Sequence, residues 1–245
     1  MTEDAGEPAE AAPVPTAPRR RRRLWRGALL ALAVLVALPL VLTVVYAVVP
    51  PVSTLMLWRW ATLQPVTRTY VAFDEVAPIV ARSVVVSEDA RFCQHGGVDT
   101  VELGKVVDDF VDGEATRGAS TIPMQLAKNL FLWPGRDPVR KAIEIPLAVW
   151  IDLVLSKRRI VELYLNVAEW GPDGEFGVEA AARRAFGRSA GEVTGRQAAL
   201  LAAVLPNPIR RDPAKPSRAV ARRANRIAAE AGRTGGVLDC ILPPG

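Results

Sequence analysis

The sequence predicts a mainly α-helical chain with at most a small β element, plus one N-terminal transmembrane helix. Three observations carry this. Residues 27–49 hold no charge and are dominated by Ala, Leu and Val, and roughly 20 such residues span a bilayer core as a helix. Most of the remaining chain shows apolar residues at helical spacing, introduced by Ser, Thr or Asp start signals. Only Thr67 to Phe73 has the β-branched alternation of a short strand. With 245 residues, half of them hydrophobic, there is room for one packed domain beside the span, and no internal repeat marks a second.

Taken in order, Met1 to Pro18 is rich in Ala, Pro and Glu and is predicted to be disordered. Arg19 to Arg23 and Arg26 follow, so residues 1–26 read as a cytoplasmic tail with a basic cluster. Residues 27–49 read as an uncleaved anchor, since no small-x-small cleavage site ends the apolar run. The arginines before the span place the N-terminus in the cytoplasm and later residues outside. A domain over 50–232 and a tail over 233–245 complete the plan. Met56 to Trp60 reads either as an interfacial patch or as an ordinary first helix. Asp74 is expected to cap a helix running through Pro78 to about Arg91. Thr100 to Val111 has an amphipathic pattern, and Glu114 to Ala119 is a small polar loop. Ser120 is expected to cap the next helix, with Pro123 in its first turn. Asp137-Pro138 starts a helix that Pro146 should kink. Ser156 and Thr194 cap two more, Val178 to Phe186 forms another, and Ser217 opens a basic amphipathic helix to about Gly232. Gly235 to Gly245 has no periodic signal.

The charge balance, 31 basic against 26 acidic residues, is a mild +5. No basic stretch with interleaved aromatics follows in the body of the chain, so nucleic acid is not an expected partner. Two cysteines, Cys93 and Cys240, are too few for a disulfide scaffold or a zinc site, and whether they pair is open. With His95 as the sole histidine, a multi-histidine metal site is excluded. A magnesium or manganese ion held by carboxylates and phosphates stays open.

The stretch from Ser87 to Asp99 organises the chemistry. It opens on two adjacent acids, Glu88 and Asp89, holds His95, and turns at Gly96-Gly97. Acids at the mouth of a turn suit proton transfer on a sugar. Singly, each residue has an ordinary explanation. An acid pair at a helix end is usually surface charge. Glu144 stands at i+4 from Arg140, where a helix ion pair contributes about 0.2–0.5 kcal/mol. The spacing of Cys93 and His95 does not make them a thiol–imidazole pair.

Together the stretches resemble the peptidoglycan glycosyltransferases of glycosyltransferase family 51, the monofunctional type most closely, over about residues 55 to 230. Glu88-Asp89-x-x-Phe92-x-x-His95-x-Gly97-x-Asp99 is similar to the family's first motif, and Gly118-x-Ser120-Thr121-x-x-x-Gln125-x-x-Lys128-Asn129 to its second. Arg140-Lys141-x-x-Glu144 with Ser156-Lys157-x-x-Ile160-x-Glu162-x-Tyr164-x-Asn166 is similar to the third. Phe176 to Ala181 with Phe186-Gly187, then Ala198 to Pro208, resemble the fourth and fifth. Three departures stand out. Met124 replaces the first of two glutamines, Asp152 stands for a longer acid, and Pro146 lies two residues past Glu144.

The resemblance implies a lysozyme-like fold and polymerisation of lipid II into glycan strands. It implies Glu88 as general base and Glu144 as a second carboxylate that steadies the donor or holds a divalent cation beside its diphosphate. Lys128, Arg140 and Lys141 would meet the diphosphate. Asp89, Phe92, His95, Ser120, Gln125 and Asn129 would complete the substrate site. No tightly bound cofactor is implied, and Mg2+ or Mn2+ would arrive with the diphosphate. Lipid II, the growing glycan and the membrane are the implied partners, with other cell-wall synthesis proteins left open. The implied location is a single-pass inner-membrane protein with a periplasmic catalytic domain. A lytic glycan hydrolase and a non-catalytic cell-wall scaffold remain the competing readings.

Overall fold

A computed structural model describes residues 19–111, 120–135, 137–233 and 238–242. The expectations for Met1 to Pro18 and for the Glu114 to Ala119 loop lie outside the described residues. The chain divides into two units, Met1–Leu38 and Pro39–Gly245. The boundary falls inside the first helix, α1 (Arg19–Val45), which includes the basic cluster Arg19 to Arg23 with Arg26. Its segment Arg22–Val45 is long and apolar enough to cross a membrane.

Nine further α-helices follow among the described residues: α2 (Thr54–Ala61), α3 (Pro78–Glu88), α4 (Thr100–Val111), α5 (Ile122–Phe131), α6 (Pro138–Val154), α7 (Lys157–Val167), α8 (Val178–Phe186), α9 (Gly195–Val204) and α10 (Arg218–Arg233). The expected strand shrinks to β1 (Thr67–Arg68), which pairs in parallel with β2 (Glu175–Phe176). The reason is local. Beyond Arg68, the Asn166 side chain takes the place of a partner strand. Its Oδ1 accepts from the Val71 amide at 3.0 Å and its Nδ2 donates to the Val71 carbonyl at 2.9 Å.

Two expected caps move. Asp74 falls in a 3-10 turn, Phe73–Glu75, and α3 begins at Pro78 after Ala77. Proline fits a first helical turn, so the start shifts to it and Asp74 instead pairs with Arg158 at 2.5 Å. Thr121, not Ser120, caps α5, accepting from the Met124 amide at 3.3 Å while donating to the Gly97 carbonyl at 2.6 Å. Asp137, Ser156 and Thr194 cap α6, α7 and α9 as expected. Pro146 lies within α6 on an exposed position, so the helix continues through it to Val154.

In the second unit, α5 packs against both α6 and α7, while α3 packs against α9 and α10. Trp170, Tyr164, Phe92, Phe176 and Met56 are among the largest fully buried side chains. A disulfide joins Cys93 to Cys240 across 147 residues, so the two cysteines pair. It fastens a C-terminal turn, in which Leu238 and Ile241 are buried, to the short 3-10 turn Phe92–Gln94.

Gly97 sets how closely the stretch after Glu88 approaches α6. Its φ is +88°, and a Cβ there would lie 2.5 Å from the Ala148 carbonyl oxygen. Both the backbone conformation and the space require glycine. We expect Gly97→Ala to lower the unfolding free energy by about 1–3 kcal/mol, read from urea midpoints.

Candidate active site

An open cleft of about 1180 Å³ runs across the second unit. One side is built by α2 and α5, with Thr54, Gln125, Lys128 and Asn129, and by Arg140 of α6. The other is built by the segment after α9 and by α10, with Pro206, Ile209, Arg223 and Arg226. Thr54 ties α2 to α5 by donating to the Asn129 carbonyl at 3.1 Å.

Glu88 lies at the end of α3, where the helix stops, and lines this cleft. Its carboxylate bridges the two sides. Oε2 accepts from Gln125 Nε2 at 3.1 Å, and Oε1 faces Arg223 Nη2 at 3.3 Å. Tyr164 fixes the Gln125 amide by donating to its Oε1 at 2.9 Å. Burial raises the Glu88 pKa above the usual glutamate value, and Gln125, Arg223, Ser87 and Lys128 oppose the rise.

Lys128 projects from α5 into the same cleft. Among the described residues its ammonium forms no hydrogen bond or ion pair. Burial lowers its pKa; Glu144 and Glu88 counter this, while Arg140 and Lys141 add to it. Both carboxylates therefore act on one ammonium.

The family model described as Transglycosylase matches residues 57–231. The chain belongs to the transglycosylase family. Curated relatives include the biosynthetic peptidoglycan transglycosylase of Rhodopseudomonas palustris (strain HaA2), 59% identical over 211 residues that cover 86% of this chain and 93% of the relative. The protein of that name from Nitrobacter winogradskyi is 56% identical over 210 residues, 86% of this chain and 93% of its own. That from Mesorhizobium japonicum is 55% identical over 227 residues, 91% of this chain and 96% of its own.

The cleft of this transglycosylase gathers Glu88, Ser120, Gln125, Lys128, Asn129 and Arg140 from the sequence-based set. The other five, Asp89, Phe92, His95, Lys141 and Glu144, are not on its wall. Asp89 is buried behind the cleft as a structural knot, accepting from His95 Nε2 at 2.9 Å and from the Ile122 amide at 2.9 Å. It thus joins the residues after Glu88 to the start of α5. His95 serves that knot, and its buried Nδ1 has no hydrogen-bond partner among the described residues. Phe92 is fully buried in the core beneath the Lys157 ammonium, 4.6 Å from the ring centroid, and does not reach the cleft. Glu144 is also buried and off the cleft wall.

Glu144 is held from two sides. Arg140 Nη1 pairs with Oε1, and Lys141 Nζ lies 2.9 Å from Oε2. Lys141 also donates to Ser120 Oγ at 2.8 Å. Both oxygens are thus engaged by cations, an arrangement that does not suit a metal ligand. Among the described residues no group of three or more His, Cys, Asp or Glu side chains gathers to hold a metal either. Asp152, the shorter acid, still reaches Lys157 at 2.6 Å.

Sequence reading missed Arg223, Arg226, Tyr164 and Glu169 as cleft residues. The two arginines lie on the helix read as basic and amphipathic, and that basic face was the available signal. Glu169 pairs with Arg59, and burial raises its pKa.

The raised Glu88 pKa has a consequence for stability. The folded state holds this proton more tightly than the unfolded state, so its contribution is greatest below the ordinary glutamate range. It is lost as pH rises through the raised value. Urea midpoints of wild type and Glu88→Gln should therefore diverge in favour of the variant from acid to neutral pH. Divergence in the other direction would contradict the burial argument.

Proposed function

We propose that the chain is a membrane-anchored peptidoglycan glycosyltransferase that joins lipid II units into linear glycan strands and releases undecaprenyl diphosphate. The names of the relatives support the substrate class. The observation that carries the mechanism is the Glu88 carboxylate on a cleft wall, between Gln125 and Arg223, with the Lys128 ammonium and the Arg140 guanidinium in the same cleft.

In this reading Glu88 removes the proton from the acceptor 4-hydroxyl. The oxygen attacks the donor anomeric carbon as the bond to the diphosphate breaks, with inversion. The departing electron pair settles on phosphate oxygens. Lys128 stands ready for that charge because it forms no hydrogen bond or ion pair among the described residues. Arg140 adds a planar guanidinium suited to phosphate. Glu144 works through its neighbours, holding Arg140 and Lys141 in place rather than meeting the donor itself. A general base is most effective with a pKa near the working pH, which the buried site of Glu88 favours.

The anchor brings the cleft to a bilayer-bound substrate. α2 lines the cleft with Thr54 and Leu55 and exposes Leu57, Trp58 and Trp60. Tryptophan favours the headgroup level, which supports seating this face in the outer leaflet. The disulfide fits a domain outside the reducing cytoplasm.

Incubation with lipid II tests the reading. The wild type should lengthen chains, whereas a lytic enzyme would shorten finished ones and a scaffold would do neither. Glu88→Gln should lose at least about 100-fold in polymerisation rate while staying folded; retained polymerisation would remove Glu88 from the mechanism. Replacing Trp58 and Trp60 by Gln should slow turnover on membrane-bound substrate, and unchanged turnover would discard the leaflet contact.

A further inference from the structure

We propose that the Cys93–Cys240 disulfide positions Glu88, so that the enzyme reaches full activity only after both thiols have been oxidised outside the cytoplasm. The inference rests on the reading of Glu88 as general base. The bond is not a remote brace. Cys93 lies in the 3-10 turn Phe92–Gln94, between Asp89 and His95, the pair that ties this stretch to α5. Cys240 lies in the turn that follows α10, and α10 carries Arg223 to the Glu88 carboxylate at 3.3 Å. Beside the packing of α10 on α3, two specific links therefore join the C-terminal segment to the Glu88 stretch, one an ion pair and one a covalent bond.

The two links differ in strength. The Arg223 side chain is 33% exposed and its pairing is long, so it contributes little restraint alone. At the 3-10 turn the Phe92 amide donates to the Asp89 carbonyl at 3.0 Å and the Gln94 amide to the Arg91 carbonyl at 2.7 Å, both local bonds, and 3-10 geometry is poor for them. The covalent link closes a 147-residue separation, the kind of contact that chain entropy opposes most. It holds the C-terminal turn against the stretch on which the Asp89–His95 knot and Glu88 depend.

The oxidation balances with a disulfide oxidant of the extracytoplasmic space. The two cysteine thiols become one sulfur–sulfur bond, and their two electrons and two protons convert the oxidant's disulfide to two thiols.

The test compares oxidised full-length protein with the same protein reduced by dithiothreitol and alkylated, below its unfolding temperature and with helicity checked by circular dichroism. kcat should fall between roughly 10- and 100-fold on reduction, because small displacements of a reacting group cost that much. The acid limb of the pH–rate profile should also move to lower pH, as a loosened Glu88 becomes better hydrated. A purely structural bond would lower the melting temperature only, so an unchanged kcat or an unmoved acid limb overturns the proposal. The variant pair Cys93→Val with Cys240→Ala, which leaves no thiol to hydrate or alkylate, is read in the same way. Loss of fold in both forms would make the bond structural and also overturn it. An oxidised wild type that fails to polymerise lipid II counts against the proposed function instead.

Discussion

A half-buried ammonium with no ion-pair partner of its own is the constraint on which the cleft depends. Lys128 is such a group among the described residues, and the Glu144 and Glu88 carboxylates favour its charge. Burial in low dielectric penalises the charged form, so this arrangement persists only where neighbouring acids offset the penalty. Arg140 and Lys141 sharpen the demand by repelling it. The result is a pocket with spare positive potential, hospitable to an incoming anion that would relieve the strain.

The two acids divide the work by environment. Glu144 has a cation on each oxygen, and its two ion pairs hold Arg140 and Lys141 in place. Glu88 is held more loosely: the Gln125 amide at 3.1 Å, and the Ser87 hydroxyl and the Arg223 guanidinium at 3.3 Å each, meet it at the cleft wall. That looser hold leaves it able to gain and lose a proton.

Much of this was legible in the sequence, because the cleft residues on α3, α5 and α6 are drawn from contiguous motifs. Gln125 and Lys128, three apart on one helix, share its cleft face. What sequence could not assign was depth. Asp89, Phe92 and His95 sit in the same motif as Glu88, yet they turn inward, since the chain leaves the helix at Asp89 and packs against α5 and α6. The opposite wall was missed for another reason. Arg223 approaches Glu88 from 135 residues away, and no local pattern reveals such a pairing. The same holds for the disulfide, where two isolated cysteines carry no information about which turns they join. The caps at Thr121 and Ala77 were displaced by short-range choices, a neighbouring hydroxyl and a proline, that propensity alone does not rank.

The central claim is that the cationic side of this cleft receives the diphosphate of a lipid-linked sugar donor beside Glu88. A crystal structure of the protein with a non-reacting disaccharide diphosphate lipid analogue tests it most directly. The account predicts phosphate oxygens within hydrogen-bond distance of Lys128 and Arg140, with the anomeric carbon on the Glu88 side of the cleft. Diphosphate bound elsewhere, or Lys128 left without a ligand contact in that complex, would contradict it.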